Sequence, residues 1–165
     1  VAQGDNLMFH AAMDLTKPGD VVVIDAGGFT ERAIFGELMP AYCKSRGVRG
    51  IICDGAIRDY DGLAEMKDFQ VYARSATPNG PYKNGPGEIN TPVVIGGRLV
   101  YPGDIIVGDQ DGVLIISPAI AEQIAHATEE VEKKEAVIME HIVKDGTYVR
   151  PWVAEKLKEI GCEVI

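Results

Sequence analysis

Two short apolar runs, Val21-Val22-Val23-Ile24 and Gly50-Ile51-Ile52-Cys53, most constrain what this chain can fold into. Neither shows polar alternation, and both are rich in β-branched residues, the pattern of strands covered on both faces. The segment between them reads as a turn at Asp25-Ala26-Gly27-Gly28 followed by a helix. That helix begins close to Glu37, tolerates Pro40 in its first turn, and ends at Arg46-Gly47, a cation followed by a glycine stop. A strand, a helix and a second strand of this kind predict α/β layers around a sheet.

The flanking sequence extends this pattern. Asp5 is placed to cap a helix over 6–15, which Lys17-Pro18-Gly19 ends. A short helix is predicted over 59–66 and a third strand over 70–74. Residues 77–92 hold four prolines and three glycines and read as a loop long enough to carry function or to cover a partner subunit. Strands are predicted at 93–95, 104–107 and 113–116, the last two joined by a Gly-Asp-Gln-Asp-Gly hairpin turn. The stretches 17–25 and 101–109 echo each other, and the simpler explanation is a proline-glycine turn used twice before a strand. Pro118 opens a long helix to about 143, rich in Glu and Lys, and a last helix lies over 151–160. The whole reads as a single α/β domain, 1–165, with a mixed sheet, whose charged helices at 118–165 are expected to pack on a neighbouring subunit.

Composition narrows the function classes. A chain of 165 residues is long enough for one domain with a sizeable core. A net charge of -9, with Lys and Arg spread out, is a poor match for nucleic acid, since phosphate contacts need clustered cations. No window approaches the roughly 18 apolar residues of a membrane span, and the N-terminus lacks a signal-peptide pattern. Cys43, Cys53 and Cys162 have no CxxC spacing and read as reduced thiols of a cytoplasmic protein.

Chemistry-bearing residues concentrate between 36 and 59. The N-terminus of the helix at Gly36-Glu37-Leu38-Met39 offers unpaired backbone N–H groups, and Gly36 lets a ligand approach them. Arg58-Asp59 follows a strand, and ligands collect at strand C-termini in open α/β sheets. Two readings of this pair stand. In one, the Arg58 fork grips a substrate carboxylate while Asp59 holds something cationic. In the other, Arg58 pairs with Asp54 or Asp61 at the surface and Asp59 caps the next helix. His10, His126 and His141 read as surface or packing residues, and no His or Cys cluster exists. A metal would therefore be bound by oxygen, from Glu37, Asp59, waters and other acids, which favours Mg²⁺ or Mn²⁺. No glycine-rich nucleotide loop or nucleophile elbow is present.

The segments GDNLMFHAA, PGDVVVIDAGG, GELM, GVRGIICDGAIRD, TPNGPYKNGPGEIN and PGDIIVGDQDGVLIIS together resemble the 4-hydroxy-4-methyl-2-oxoglutarate / 4-carboxy-4-hydroxy-2-oxoadipate aldolase family, whose fold is shared with the ribonuclease regulator RraA. The resemblance covers nearly the whole chain. It implies an α/β/α swivelling-domain fold with a C-terminal helical extension, assembled as a trimer or hexamer. It also implies a class II, metal-dependent aldolase that releases pyruvate from a 4-hydroxy-2-oxo diacid and decarboxylates oxaloacetate. The family's site motif is an acid, twenty residues, then Arg-Asp, which Glu37, residues 38–57 and Arg58-Asp59 match, with Glu standing where Asp is common. By this resemblance, Arg58 and the backbone of Gly36, Glu37, Leu38 and Met39 bind the 2-oxo acid. Asp59 ligates Mg²⁺ or Mn²⁺ directly, and Glu37 acts through water. A glutamate of the neighbouring subunit, Glu135 or its competitor Glu132, also acts through water. From the residues themselves, no lysine is placed convincingly for a Schiff base, and Lys83 in the long loop comes nearest. Family members carry several dozen further residues before the stretch matching GDNL, which implies a shortened chain here. The alternative reading is a non-catalytic RraA-like regulator that binds a ribonuclease.

Overall fold

The two apolar runs are neighbouring parallel strands in the computed structural model, which describes residues 1–162. Strand β1 (Val21–Ile24) pairs with β3 (Gly50–Ile57) from Val21↔Gly50 to Ile24↔Cys53. Strand β2 (Ala33–Phe35) pairs with the far end of β3, and β4 (Gln70–Ala76) pairs along its whole length. All three ladders are parallel, so β4 holds one edge of β3 while β1 and β2 share the other. Every residue of β3 is buried, as a strand flanked on both edges and covered on both faces requires.

Strand β3 is longer than the predicted 50–53 because Asp54-Gly55 forms a bulge and not a turn. Between Cys53 and Ala56, β3 advances one residue further than β4 does. The buried Asp54 is held by the Arg74 guanidinium, and its carbonyl accepts from Gly28 N at 2.8 Å. At Gly55 a Cβ would stand 2.9 Å from Ala26 Cβ, so only glycine lets the turn after β1 lie against the bulge.

Helices α1 (Leu7–Met13), α2 (Leu38–Ser45) and α3 (Tyr60–Ala64) deliver Phe9, Met13, Met39, Cys43 and Leu63 into one cluster with Ile24, Ile34, Phe35, Ile51 and Ile57 of the sheet. Phe9 and Phe35 meet edge to face, 5.5 Å between centroids. Burial pushes the Cys43 thiol up to about 11 and the Cys53 thiol up to about 12, so both are packing residues.

The expected mixed sheet is replaced by this parallel sheet and two separate antiparallel hairpins, β5–β6 (Val93–Ile95 and Arg98–Val100) and β7–β8 (Ile105–Gly108 and Val113–Ile116). Two three-residue strands, β2 and β6, are additions to the sequence reading. The echoed turns share their bonding: Asp20 Oδ2 accepts from Lys17 N and Asp104 Oδ2 from Tyr101 N, both at 2.8 Å, with Gly19 and Gly103 at φ 95° and 92°.

Residues 1–116 form one compact unit, and a second begins at Ser117. The second opens with a 3₁₀ turn (Pro118–Ile120) and continues as α4 (Ala121–Asp145), ended by Gly146 at φ 63°, and α5 (Pro151–Glu159). Neither α4 nor α5 has a buried residue, and no described helix is long and apolar enough to cross a membrane.

Candidate active site

Strand β3 runs directly into Arg58, whose N–H donates to Phe35 O at 2.9 Å, so the edge strand β2 fixes where the pair begins. Asp59 follows at φ 57°, ψ 43°, the left-handed region that non-glycine residues rarely occupy, and holds the N-cap position of α3. It makes no side-chain cap. Its Oδ2 instead accepts from Glu37 N at 3.2 Å, at the start of α2. The left-handed turn thus aims the carboxylate back across the sheet end. A Cβ at position 36 would lie 1.9 Å from Asp59 Oδ2, so Gly36 is required by this approach.

Neither half of the surface reading survives this geometry. Asp54 is buried and bonded to Arg74, no Arg58–Asp61 ion pair forms, and Asp59 does not cap α3 with its side chain. Arg58 Nε lies 3.7 Å from Asp59 Oδ2, with the two side chains 44% and 45% exposed, and pairs with no other carboxylate among the described residues.

Gly36, Glu37, Leu38, Met39, Arg58 and Asp59 line a cavity of about 320 Å³. Five further residues complete it: Asn6 at the N-cap of α1, His10 within that helix, Phe35, and Pro81 and Lys83 of the long loop. His10 is exposed, as the surface reading predicted, and it also lines the cavity. Its signal was spacing: Asn6 and His10 stand four apart, and His10 N donates to Asn6 O at 3.0 Å, so one turn presents both. Buried Asn6 donates to Ile34 O at 2.8 Å, while its Oδ1 has no partner among the described residues. Glu37 Oε2 lies where a Cβ on residue 62 would be 2.2 Å away, so Gly62 makes room for the longer acid.

No group of three His, Cys, Asp or Glu side chains that could hold a metal exists among the described residues. The cavity offers two carboxylates, Asp59 and Glu37. That donor set fits a hydrated hard cation, since Mg²⁺ is commonly held by one or two carboxylates and keeps several waters. Glu135 and Glu132 both lie on α4, in the second unit.

A larger cavity of about 760 Å³ lies along β1, α1 and the two hairpins. Three of its carboxylates are occupied by backbone N–H groups: Asp20 by Lys17, Asp25 by Gly27 and Val94, Asp104 by Tyr101. Lys17 is the one cationic side chain among its described lining residues, and no arginine lines it.

The family described as RraA-like, aldolase/RraA, matches residues 1–115. A protein of Halalkalibacterium halodurans, provisionally named 4-hydroxy-4-methyl-2-oxoglutarate aldolase, is 36% identical over 93% of this chain and 74% of its own length. Among solved structures, Streptomyces coelicolor RraAS2, described as an unusual member of the RNase ES inhibitor RraA family, is 31% identical with a TM-score of 0.70, over 78% of this chain and 66% of that one. The RNA-processing inhibitor RraA from Thermus is 29% identical with a TM-score of 0.64, over 70% of each chain.

Proposed function

The chain belongs to the RraA-like, aldolase/RraA family, and within it we propose that it is a divalent-metal-dependent lyase. Its reaction is cleavage of a 4-hydroxy-2-oxo diacid to pyruvate and a second oxo acid, with decarboxylation of oxaloacetate alongside. The observation that carries this reading is Arg58: a guanidinium beside Asp59 at a sheet's C-terminal end, lining a cavity with a helix N-terminus and paired, among the described residues, with no carboxylate but its neighbour's.

The chain's own residues would act as follows. Arg58 grips the C1 carboxylate through two parallel hydrogen bonds, which fixes the plane of the 2-oxo acid. Backbone N–H groups of Gly36, Leu38 and Met39 face the same anion from the start of α2, while that of Glu37 is given to Asp59 Oδ2. As the C4 hydroxyl gives up its proton to water, its O–H pair closes the C4 carbonyl of the second oxo acid. The C3–C4 pair moves into the C2–C3 bond, charge gathers on the C2 oxygen beside the Arg58 cation, and a proton returned to C3 completes pyruvate. Asp59 would hold Mg²⁺ or Mn²⁺ directly, with Glu37 acting through water. When bound, such an ion polarises the C2 carbonyl as a Lewis acid.

Glu135 of a neighbouring subunit is the proposed third acid, in a homotrimer or hexamer. Its support is the pattern of α4. Ile124, Val131, Glu135, Ile138 and Ile142 recur at helical spacing, so Glu135 stands within an apolar stripe that its own chain leaves unburied. Glu132 lies further from the middle of that stripe. A second reading, a non-catalytic regulator of a ribonuclease, is favoured by the RraA inhibitors among the structural neighbours.

Pyruvate release from oxaloacetate and from 4-hydroxy-2-oxo diacids, measured with Mg²⁺ and with EDTA, tests the reading. Release is expected with Mg²⁺ and not with EDTA. The same assay on Arg58→Lys should show kcat/KM lower by on the order of 10²-fold, because lysine cannot reproduce two parallel bonds. Its melting temperature should be unchanged, since Arg58 lies in a cleft and not in the core. An inactive wild type would favour the regulator, and a fully active, stable Arg58→Lys would show that this cavity is not the active site.

A further inference from the structure

Arg58 is not the only cation at the cavity. Lys83 lines it as well, and the backbone around Lys83 is tied down on both sides. Tyr82 N donates to Gly4 O at 2.8 Å and Asn6 N to Tyr82 O at 3.0 Å. Asp5 then takes three backbone N–H groups: Leu7 on Oδ1 at 2.9 Å, and Asn84 and Gly85 on Oδ2 at 2.5 and 3.1 Å. The Tyr82 ring receives the Arg32 guanidinium, 4.0 Å from its centroid. Residues 82, 84 and 85 are therefore all bonded to the segment that opens α1.

The side chain of Lys83 takes no part in this staple. It forms no ion pair and no hydrogen bond among the described residues. Asp5 feels its charge, but the Asp5 carboxylate is 3% exposed and already bonded by backbone on both oxygens. The chain thus anchors the backbone of a lysine with an uncommitted side chain at the wall of a cavity that Arg58 also lines, at the sheet end. An ammonium is a compact point charge with three donors on a flexible stem, suited to a carboxylate whose distance from the first anchor varies among substrates.

We propose that Lys83 receives the distal carboxylate of a dicarboxylate substrate whose 2-oxo-acid end is held by Arg58. Lys83 is then the residue that makes the site prefer diacids to monoacids. The inference rests on the reading of this cavity as a 2-oxo-acid lyase site. It assigns Lys83 no covalent role.

The test compares two substrates on the full-length chain with saturating Mg²⁺: 4-hydroxy-4-methyl-2-oxoglutarate, a dicarboxylate, and 4-hydroxy-2-oxopentanoate, a monocarboxylate. Lys83→Gln should raise KM for the dicarboxylate by about 10- to 100-fold, the scale of one charge-assisted contact, and leave kcat within about threefold. For the monocarboxylate, kcat/KM should stay within about twofold. Lys83→Arg should keep most of the diacid preference. Equal losses on both substrates, or none on either, would overturn the role given to Lys83 while the wild-type activity upholds the lyase reading. Loss of all turnover in Lys83→Gln, together with a borohydride-trapped adduct in the wild type, would overturn it in favour of a Schiff base. A wild type that releases pyruvate from neither substrate would remove the lyase reading itself.

Discussion

In residues 1–116 a central strand is buried along its whole length, and Phe9, Phe35, Ile34 and Ile51 are shut off from solvent. In the second unit a 25-residue helix carries Val131, Ile138, Met139, Ile142 and Val143 and buries none of them. Both regions carry large apolar side chains, and they differ in whether those side chains have a partner. The first draws its stability from its own sheet and helices. The second is a long amphipathic helix, and helices of that kind take most of their stability from what they pack against. The difference is what the proposed assembly requires, in which one unit shapes the cavity and the other meets a second copy of the chain.

The strongest way to break that division is to ask whether the second unit completes the first one's site in another subunit. Asp59→Ala and Glu135→Ala chains should each release no pyruvate. Mixed oligomers formed from both should regain part of the activity, because some sites then draw both acids from intact chains. Subunit exchange confirmed by mass, with activity still absent, would separate α4 from the active site.

Core and helix substitutions sharpen the contrast. Phe35→Ala should destabilise the chain by about 3–5 kcal/mol, as for other buried aromatic truncations. Ile138→Ala, at a residue 40% exposed, should change stability by only about 0.5 kcal/mol when protein is too dilute to assemble. Its penalty should grow with concentration as the wild type gains from association. Equal Ile138→Ala penalties at all concentrations, read from denaturant titrations, would mean that the helix face is covered within its own chain.

The smallest effect belongs to the staple between α1 and the long loop. Burial alone would raise the pKa of Asp5, but bonds from Asn84, Leu7 and Gly85 N–H and the field of Lys83 hold it below its ordinary value of 3.8. A carboxyl depressed on folding stabilises above its unfolded pKa and loses that contribution as pH falls through the folded one. The melting temperature of the wild type should therefore exceed that of Asp5→Asn at neutral pH. The gap should close below pH of about 4. A gap that persists unchanged in acid would show that the Asp5 charge contributes nothing to the staple.

Much of the first unit was legible because its signals are local. The run at 21–24, the Arg46-Gly47 stop and the Gly-Asp-Gln-Asp-Gly hairpin each report on a few adjacent residues. The end of β3 was not, because Asp54-Gly55 has the composition of a turn and becomes a bulge only through Arg74 and Gly28, 20 and 26 positions away. Strand β2 is as short as β5, but only β5 is bracketed by turn residues, Pro92 before it and Gly96-Gly97 after it. In the site, Arg58, Asp59 and Glu37 could be found from motif spacing. His10 needed its turn-mate Asn6, and the cavity wall at Lys83 depends on bonds from the loop to Gly4, Asp5 and Asn6 that no periodicity encodes.

Gly62 has a bearing on how such a site can change. Its missing Cβ is the space that Glu37 Oε2 fills, at 2.2 Å from where that carbon would be. Alanine is the better helix former, so position 62 is under a standing pull toward it. While Glu37 is in place, Gly62→Ala displaces the acid; after Glu37→Asp, the shorter side chain leaves that space free. The two positions are thus coupled through one carboxylate. Gly62→Ala re-aims the exposed, flexible end of Glu37, and so acts on where that acid points in the cavity more than on the stability of α3.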